Sequence, residues 1–166
     1  MKILFFLVAI CFALIACNQS GNNQQLQAKI DSLQVKLNDT YKPGLGEFMM
    51  GIQEHHAKLW FAGVNKNWQL ADFEVHEIGE TLNDVKKYCT DRPETKSLGI
   101  IDPAVNIIKA AISKQDMDKF KSGFIELTSD CNTCHRGNQH GFNIITIPTS
   151  PPVTNQDFKP ANLKKA

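Results

Sequence analysis

The sequence predicts an all-α chain: an antiparallel four-helix bundle preceded by an N-terminal helical stalk and followed by an extended Pro-rich tail. Three observations carry this expectation. Between Leu45 and His135 apolar residues recur three and four positions apart, the period of a helix with one buried face. No alternation of strand period reaches a useful length before Asn143. Turn and cap residues, at Lys42-Pro43-Gly44, Asn65-Lys66-Asn67, Thr90-Asp91-Arg92-Pro93 and Asp116, cut the periodic stretch into pieces of helix length.

Residues 1–16 read as a lipoprotein signal peptide. Lys2 supplies the charge before an apolar run from Ile3 to Ala16, which is too short for a comfortable membrane span. The run ends Leu14-Ile15-Ala16-Cys17, which resembles the lipobox of bacterial lipoproteins, where cleavage precedes a cysteine that is then acylated. Residues 17–42 form a tether and a short heptad helix. Asn18 to Asn23 is polar and flexible in composition, and Leu26, Ile30, Leu33 and Leu37 follow at spacings that make an a/d seam. That seam either packs on its own domain or joins copies into a homo-oligomer through residues 26–37.

Residues 43–142 are the expected bundle. The first helix, from about Leu45 to Gly63, carries Leu45, Phe48, Ile52, Leu59 and Gly63 on one face. Asn67 can cap a second helix reaching about Tyr88, with Leu70, Ala71, Ile78, Leu82, Val85 and Cys89 on one side and Glu74, Glu77 and Glu80 facing away. Asp102-Pro103 places an acidic cap and a first-turn proline at the start of a third helix that carries Val105, Ile108, Ala111 and Ile112. Asp116 caps a fourth, on which Phe120, Phe124, Leu127 and Cys131 form the stripe. The tail, residues 143–166, holds Pro148, Pro151, Pro152 and Pro160.

The chemistry concentrates in Cys131-Asn132-Thr133-Cys134-His135. Two cysteines two residues apart, with a histidine directly after the second, read as a c-type haem attachment site. Both thiols can reach the vinyl groups of one haem while the imidazole ligates its iron. A dithiol redox pair calls for a βαβ pattern that is missing, and a structural zinc site calls for two further ligands. The motif continues the apolar stripe of its helix, so one haem c, covalently held by Cys131 and Cys134 with His135 as proximal axial ligand, is expected within the bundle. Haem attachment of this kind follows export, in agreement with the signal peptide. Of the five cysteines, Cys11 leaves with the signal and Cys17 is lipidated, so Cys89 remains as a half-buried free thiol.

At this point the chain resembles the class II c-type cytochromes, the cytochrome c prime group, over about residues 44–138. The resemblance rests on helix count, the late position of CNTCH and the stripe leading into it. The chain also looks like bacterial lipoprotein cytochromes that share the segments HAKLWFAG at 56–63 and NWQLADFE at 67–74. It implies four antiparallel helices around the haem. The position four residues after the haem histidine, commonly Arg or Lys in that group, is Gln139 here, with Arg136 directly after His135, and the tail has no counterpart.

The distal face of the iron decides the function. In an up-down-up-down bundle the first helix lies beside the haem, and its ligand-bearing residues are Met49, Met50, His55 and His56. His56 falls closest to the centre of the buried face, and matching Gly63 to the glycine that often ends helix one in the class II pattern also brings residue 56 or 57 to the distal position. His56 is therefore the expected distal ligand, with Met49 and His55 as alternatives and an open distal site as the remaining case. His76 is expected in solvent, His140 in a loop, and Trp60 and Trp68 in the core.

Residues 1–16 contain one charged side chain, Lys2, so the remainder carries 17 basic and 17 acidic groups and offers no basic patch for nucleic acid. About 150 residues suffice for one domain with a core. The expected protein is a membrane-anchored mono-haem electron carrier, not an enzyme, exported to face the periplasm or sit on the outer membrane and serving an unidentified redox partner protein. The alternative is a five-coordinate haem protein that binds or scavenges NO or CO.

Overall fold

Proline and glycine at 43 and 44 cannot extend a helix from the N-terminal side, and the chain divides there into two compact units, residues 1–42 and 43–166. The computed structural model describes residues 22–37, 39–40 and 43–161. The expected signal peptide and the acylated Cys17 lie outside the described residues. Helix α1, residues 22–37, is exposed along its whole length, its seam residues Leu26, Ile30, Leu33 and Leu37 included.

The second unit contains α2 (Leu45–Val64), α3 (Trp68–Tyr88), a 3-10 helix (Pro93–Ile100), α4 (Asp102–Lys114) and α5 (Met117–Gly137). Among the described residues there is no strand, and no helix is long and apolar enough to cross a membrane. Two of the expected caps form: Asn67 Oδ1 accepts from the N–H of Leu70, and Asp116 Oδ1 accepts from the N–H of Lys119. At α4 the cap lies one residue earlier than the sequence suggests. Ile101 is the N-cap and makes no side-chain bond, while Asp102 and Pro103 occupy the first helical turn. Prolines are tolerated there because the first amides have no helical partner.

Helices α2 and α3 pack together, as do α4 and α5, α3 and α4, and α2 and α5. Short connections explain the first two pairs: three residues join α2 to α3, and Gln115 turns the chain between α4 and α5 in a left-handed conformation at φ 54°. The core joins Leu59, Ala71, Ile78, Leu82, Val85, Ile108, Phe120, Phe124 and Leu127. Gly63 lets α5 approach closely, since a Cβ at that position would lie 2.0 Å from Phe120 Cζ.

The α2 and α5 contacts define an antiparallel register. Gly63 meets Phe120; Trp60 meets Phe120 and Phe124, with centroids 6.4 and 4.9 Å apart; His56 meets Phe124 at 4.4 Å. Each step down α2 is a step up α5.

Two further features differ from the sequence reading. Glu74 does not face solvent; it is 1% exposed and part of the buried face of α3. Its spacing from Ala71 and Ile78 is three and four residues, the period of the stripe, and His55 Nδ1 supplies the partner at 2.7 Å that a buried carboxylate needs. Second, Pro93–Ile100 is helical and buries Leu98, although it has no amphipathic period. Residues 143–161 carry neither helix nor strand, yet Phe158 is buried with its ring 5.7 Å from Phe61, and Ile147 and Val153 pack on the core. Asn67 Nδ2 donates to the Lys159 carbonyl and fixes this end of the segment at the α2–α3 turn.

Candidate functional site

The last turns of α5 present the motif. Cys131 packs against the core while Cys134 and His135 are half-buried, so the stripe that starts at Phe120 does run into the motif. The two cysteines form no disulfide. Burial pushes the Cys131 thiol up to about 12, and burial also raises that of Cys134, with the Glu94 carboxylate adding to it. A nucleophilic dithiol needs the opposite setting, electropositive and favourable to thiolate.

His135 has the second feature. Its Nδ1 lies 2.7 Å from the carbonyl oxygen of Asn143. A carbonyl only accepts, so Nδ1 carries the proton and the Nε2 lone pair is left for a ligand. Metal-ligating histidines are oriented in this way by a carbonyl or carboxylate on the other ring nitrogen. Among the described residues Nε2 has no protein partner. Two thiols one turn apart with an imidazole in this tautomer fit covalent haem attachment and axial ligation.

His56, the distal ligand expected first, is 3% exposed and has a partner of its own. Its Nε2 lies 2.9 Å from Thr128 Oγ1, whose hydroxyl donates to the Phe124 carbonyl at 2.8 Å. The hydroxyl proton being used, His56 Nε2–H is the donor of the longer bond. Burial lowers the pKa of His56 to about 4. His55 is held by Glu74. Met49 is half-buried against the core, and Met50 is exposed.

The register decides which of these lies level with the motif. His56 stands beside Thr128, so residues one turn earlier on α2 stand beside Cys131, and Met49 falls level with Cys134 and His135. At ~1.5 Å per residue, Met49 lies ~10 Å from His56 along the axis of α2. Of the α2 side chains at the level of the motif, Met50 is exposed, while Phe48, Met49 and Ile52 are at least partly buried, and Met49 alone among these three bears a ligand atom.

Sequence reasoning passed over four contributors. Thr128 sits on the stripe, one helical turn before Cys131. Asn132, inside the motif, pairs with the Ile145 backbone. Asn143 acts through its carbonyl, which no side-chain pattern reveals. Glu94, whose Oε1 accepts from Arg92 at 2.8 Å and lies 4.0 Å from His140, has its Oε2 buried without a hydrogen bond. His76 is exposed and 3.2 Å from Glu80, and Trp60 and Trp68 pack on the core, as expected.

No family model, no curated protein and no solved structure matches this chain.

Proposed function

We propose that the chain is a membrane-tethered mono-haem c-type cytochrome that passes single electrons between partner proteins, a carrier rather than an enzyme. Cys131 and Cys134 would hold one haem c by thioether bonds, and His135 Nε2 would ligate its iron from the proximal side, within an antiparallel four-helix bundle. The observation that carries the reading is the His135 tautomer within a CxxCH turn: Nδ1–H is committed to Asn143 O, and Nε2 is left with its lone pair. The group would supply one-electron chemistry at iron; Cys131, Cys134 and His135 would hold it, and the surrounding side chains would set its burial and access.

The antiparallel register supports Met49 in preference to His56 as sixth ligand, because His56 is turned to Thr128 and Met49 stands level with His135. A thioether opposite an imidazole raises the reduction potential relative to a pair of imidazoles. Phe48 and Ile52 beside Met49 would exclude water from that face. Acylation at Cys17, on the exported side of a bacterial membrane, would confine the carrier to the periplasm-facing or outer-membrane surface where its redox partner works.

The test is the mass and visible spectrum of the exported full-length protein. One covalent haem per chain and a low-spin ferrous spectrum unmoved by CO are expected, with low-spin character lost in Met49→Ala and kept in His56→Ala. Loss in His56→Ala alone returns the ligand to His56. A high-spin ferrous spectrum that shifts promptly with CO replaces the carrier with a gas-binding protein, and the absence of covalent haem overturns the whole reading.

A further inference from the structure

Haem attachment specifies three of the five residues in Cys131-Asn132-Thr133-Cys134-His135 and leaves the two spacers free. They behave differently. Thr133 stays within its own helix, donating to Ser129 O at 2.9 Å and accepting from Arg136 at 2.9 Å. Asn132 reaches out of the helix. Its Nδ2 donates to Ile145 O at 2.8 Å and its Oδ1 accepts from the N–H of Ile145 at 2.8 Å, so both ends of the amide grip one backbone residue as a neighbouring strand would.

Two residues before Ile145 is Asn143, whose carbonyl accepts the His135 Nδ1–H. That carbonyl is held from both sides. On one side the N–H of Asn143 donates to His140 O at 2.9 Å, and the N–H of His140 donates to His135 O at 2.7 Å. On the other side stands the Asn132 clamp. Asn143 and Ile144 are themselves exposed, Ile144 by 70%, so burial does not hold them.

We propose that Asn132 is a positioning residue for the proximal ligand: by clamping Ile145 it keeps the Asn143 carbonyl on His135 Nδ1, and so sets the donor strength of His135 Nε2 toward iron. This rests on the haem reading above. A fixed carbonyl pulls the Nδ1 proton and enriches Nε2, which favours the ferric state; exchanging water in its place does so less.

The experiment measures covalent haem by mass and midpoint potential by spectroelectrochemistry in full-length Asn132→Ala, Asn132→Asp and Ile145→Pro. Asn132→Ala removes both clamp bonds, Ile145→Pro removes the backbone donor without touching the motif, and Asn132→Asp keeps the acceptor alone. Haem content is expected to hold. The redox equilibrium should shift toward the ferrous state by about tenfold in Asn132→Ala, which is about 59 mV for one electron, and by less in Ile145→Pro and Asn132→Asp, each of which leaves one clamp bond, with Ile145→Pro still moving it by more than about twofold. In the haem-free full chain the His135 Nδ1–H resonance should exchange faster with solvent in the same variants. Attached haem with a potential that moves less than about twofold in both Asn132→Ala and Ile145→Pro overturns the role of Asn132. Absence of covalent haem from the unsubstituted protein overturns the haem reading instead. If Asn132→Ala does not fold, Ile145→Pro decides alone.

Discussion

Replacing His56 by Gln should flatten the dependence of stability on pH. The imidazole is 3% exposed, packed on Phe124 and bonded to Thr128, and burial lowers its pKa from 6.5 to about 4. The unfolded chain therefore binds a proton at this ring over a range in which the folded chain remains neutral. Stability is complete above the unfolded value, declines as pH falls through about 6.5, and reaches its full loss below the folded value. The whole loss is about 3 kcal/mol, and about 2 kcal/mol of it should be present at pH 5 relative to pH 7.5. Glutamine keeps an N–H donor for Thr128 Oγ1 but cannot titrate. Urea unfolding followed by the fluorescence of Trp60 and Trp68, at the two pH values, gives both proteins' stabilities under identical conditions. The parent should lose about 2 kcal/mol more than His56→Gln on acidification. Equal losses in the two proteins would refute the reasoning, because they would mean that His56 titrates alike in the folded and unfolded chain.

Three further outcomes follow from packing and local bonds. Gly63→Ala should destabilise the bundle by about 1–3 kcal/mol in a chemical melt, since its Cβ would lie 2.0 Å from the ring of a fully buried Phe120; an unchanged melt would show that the ring can shift. Phe158→Ala should free residues 143–161, so that limited proteolysis clips the segment while the bundle still unfolds cooperatively at a stability lower by up to about 3 kcal/mol; resistance to the protease equal to the parent's would assign the anchoring to other contacts. Asn67→Ala removes both the α3 cap and the bond to Lys159 O, and should lower stability by about 1 kcal/mol with faster amide exchange at Leu70.

Much of what depends on residues a few positions apart was legible in the chain. The CxxCH turn, the stripe from Phe120 through Cys131, and the caps at Asn67 and Asp116 are local, because a helix brings residues three or four apart onto one face and a cap closes within three. Glu74 shows how that legibility can be lost. Its period placed it on the buried face, its charge argued the other way, and only His55 on the neighbouring helix made burial affordable. The 3-10 segment Pro93–Ile100 had no period to read, and its position comes from Leu98 filling the core.

The sequence by itself determined the CxxCH motif, the helical class and which side chains of the first bundle helix bear donor atoms. Only the tertiary structure decided which of those side chains stands opposite which. A helical wheel gives the direction of a residue around its axis but not its height along it, so His56 looked central while the contacts of Gly63, Trp60 and His56 with α5 set Met49 level with His135. The same holds for His135, which acquires its tautomer from a backbone carbonyl eight residues on, two residues before the one that Asn132 grips. Hydrogen bonds between segments depend on distance in space, and periodicity along the chain carries no information about that distance.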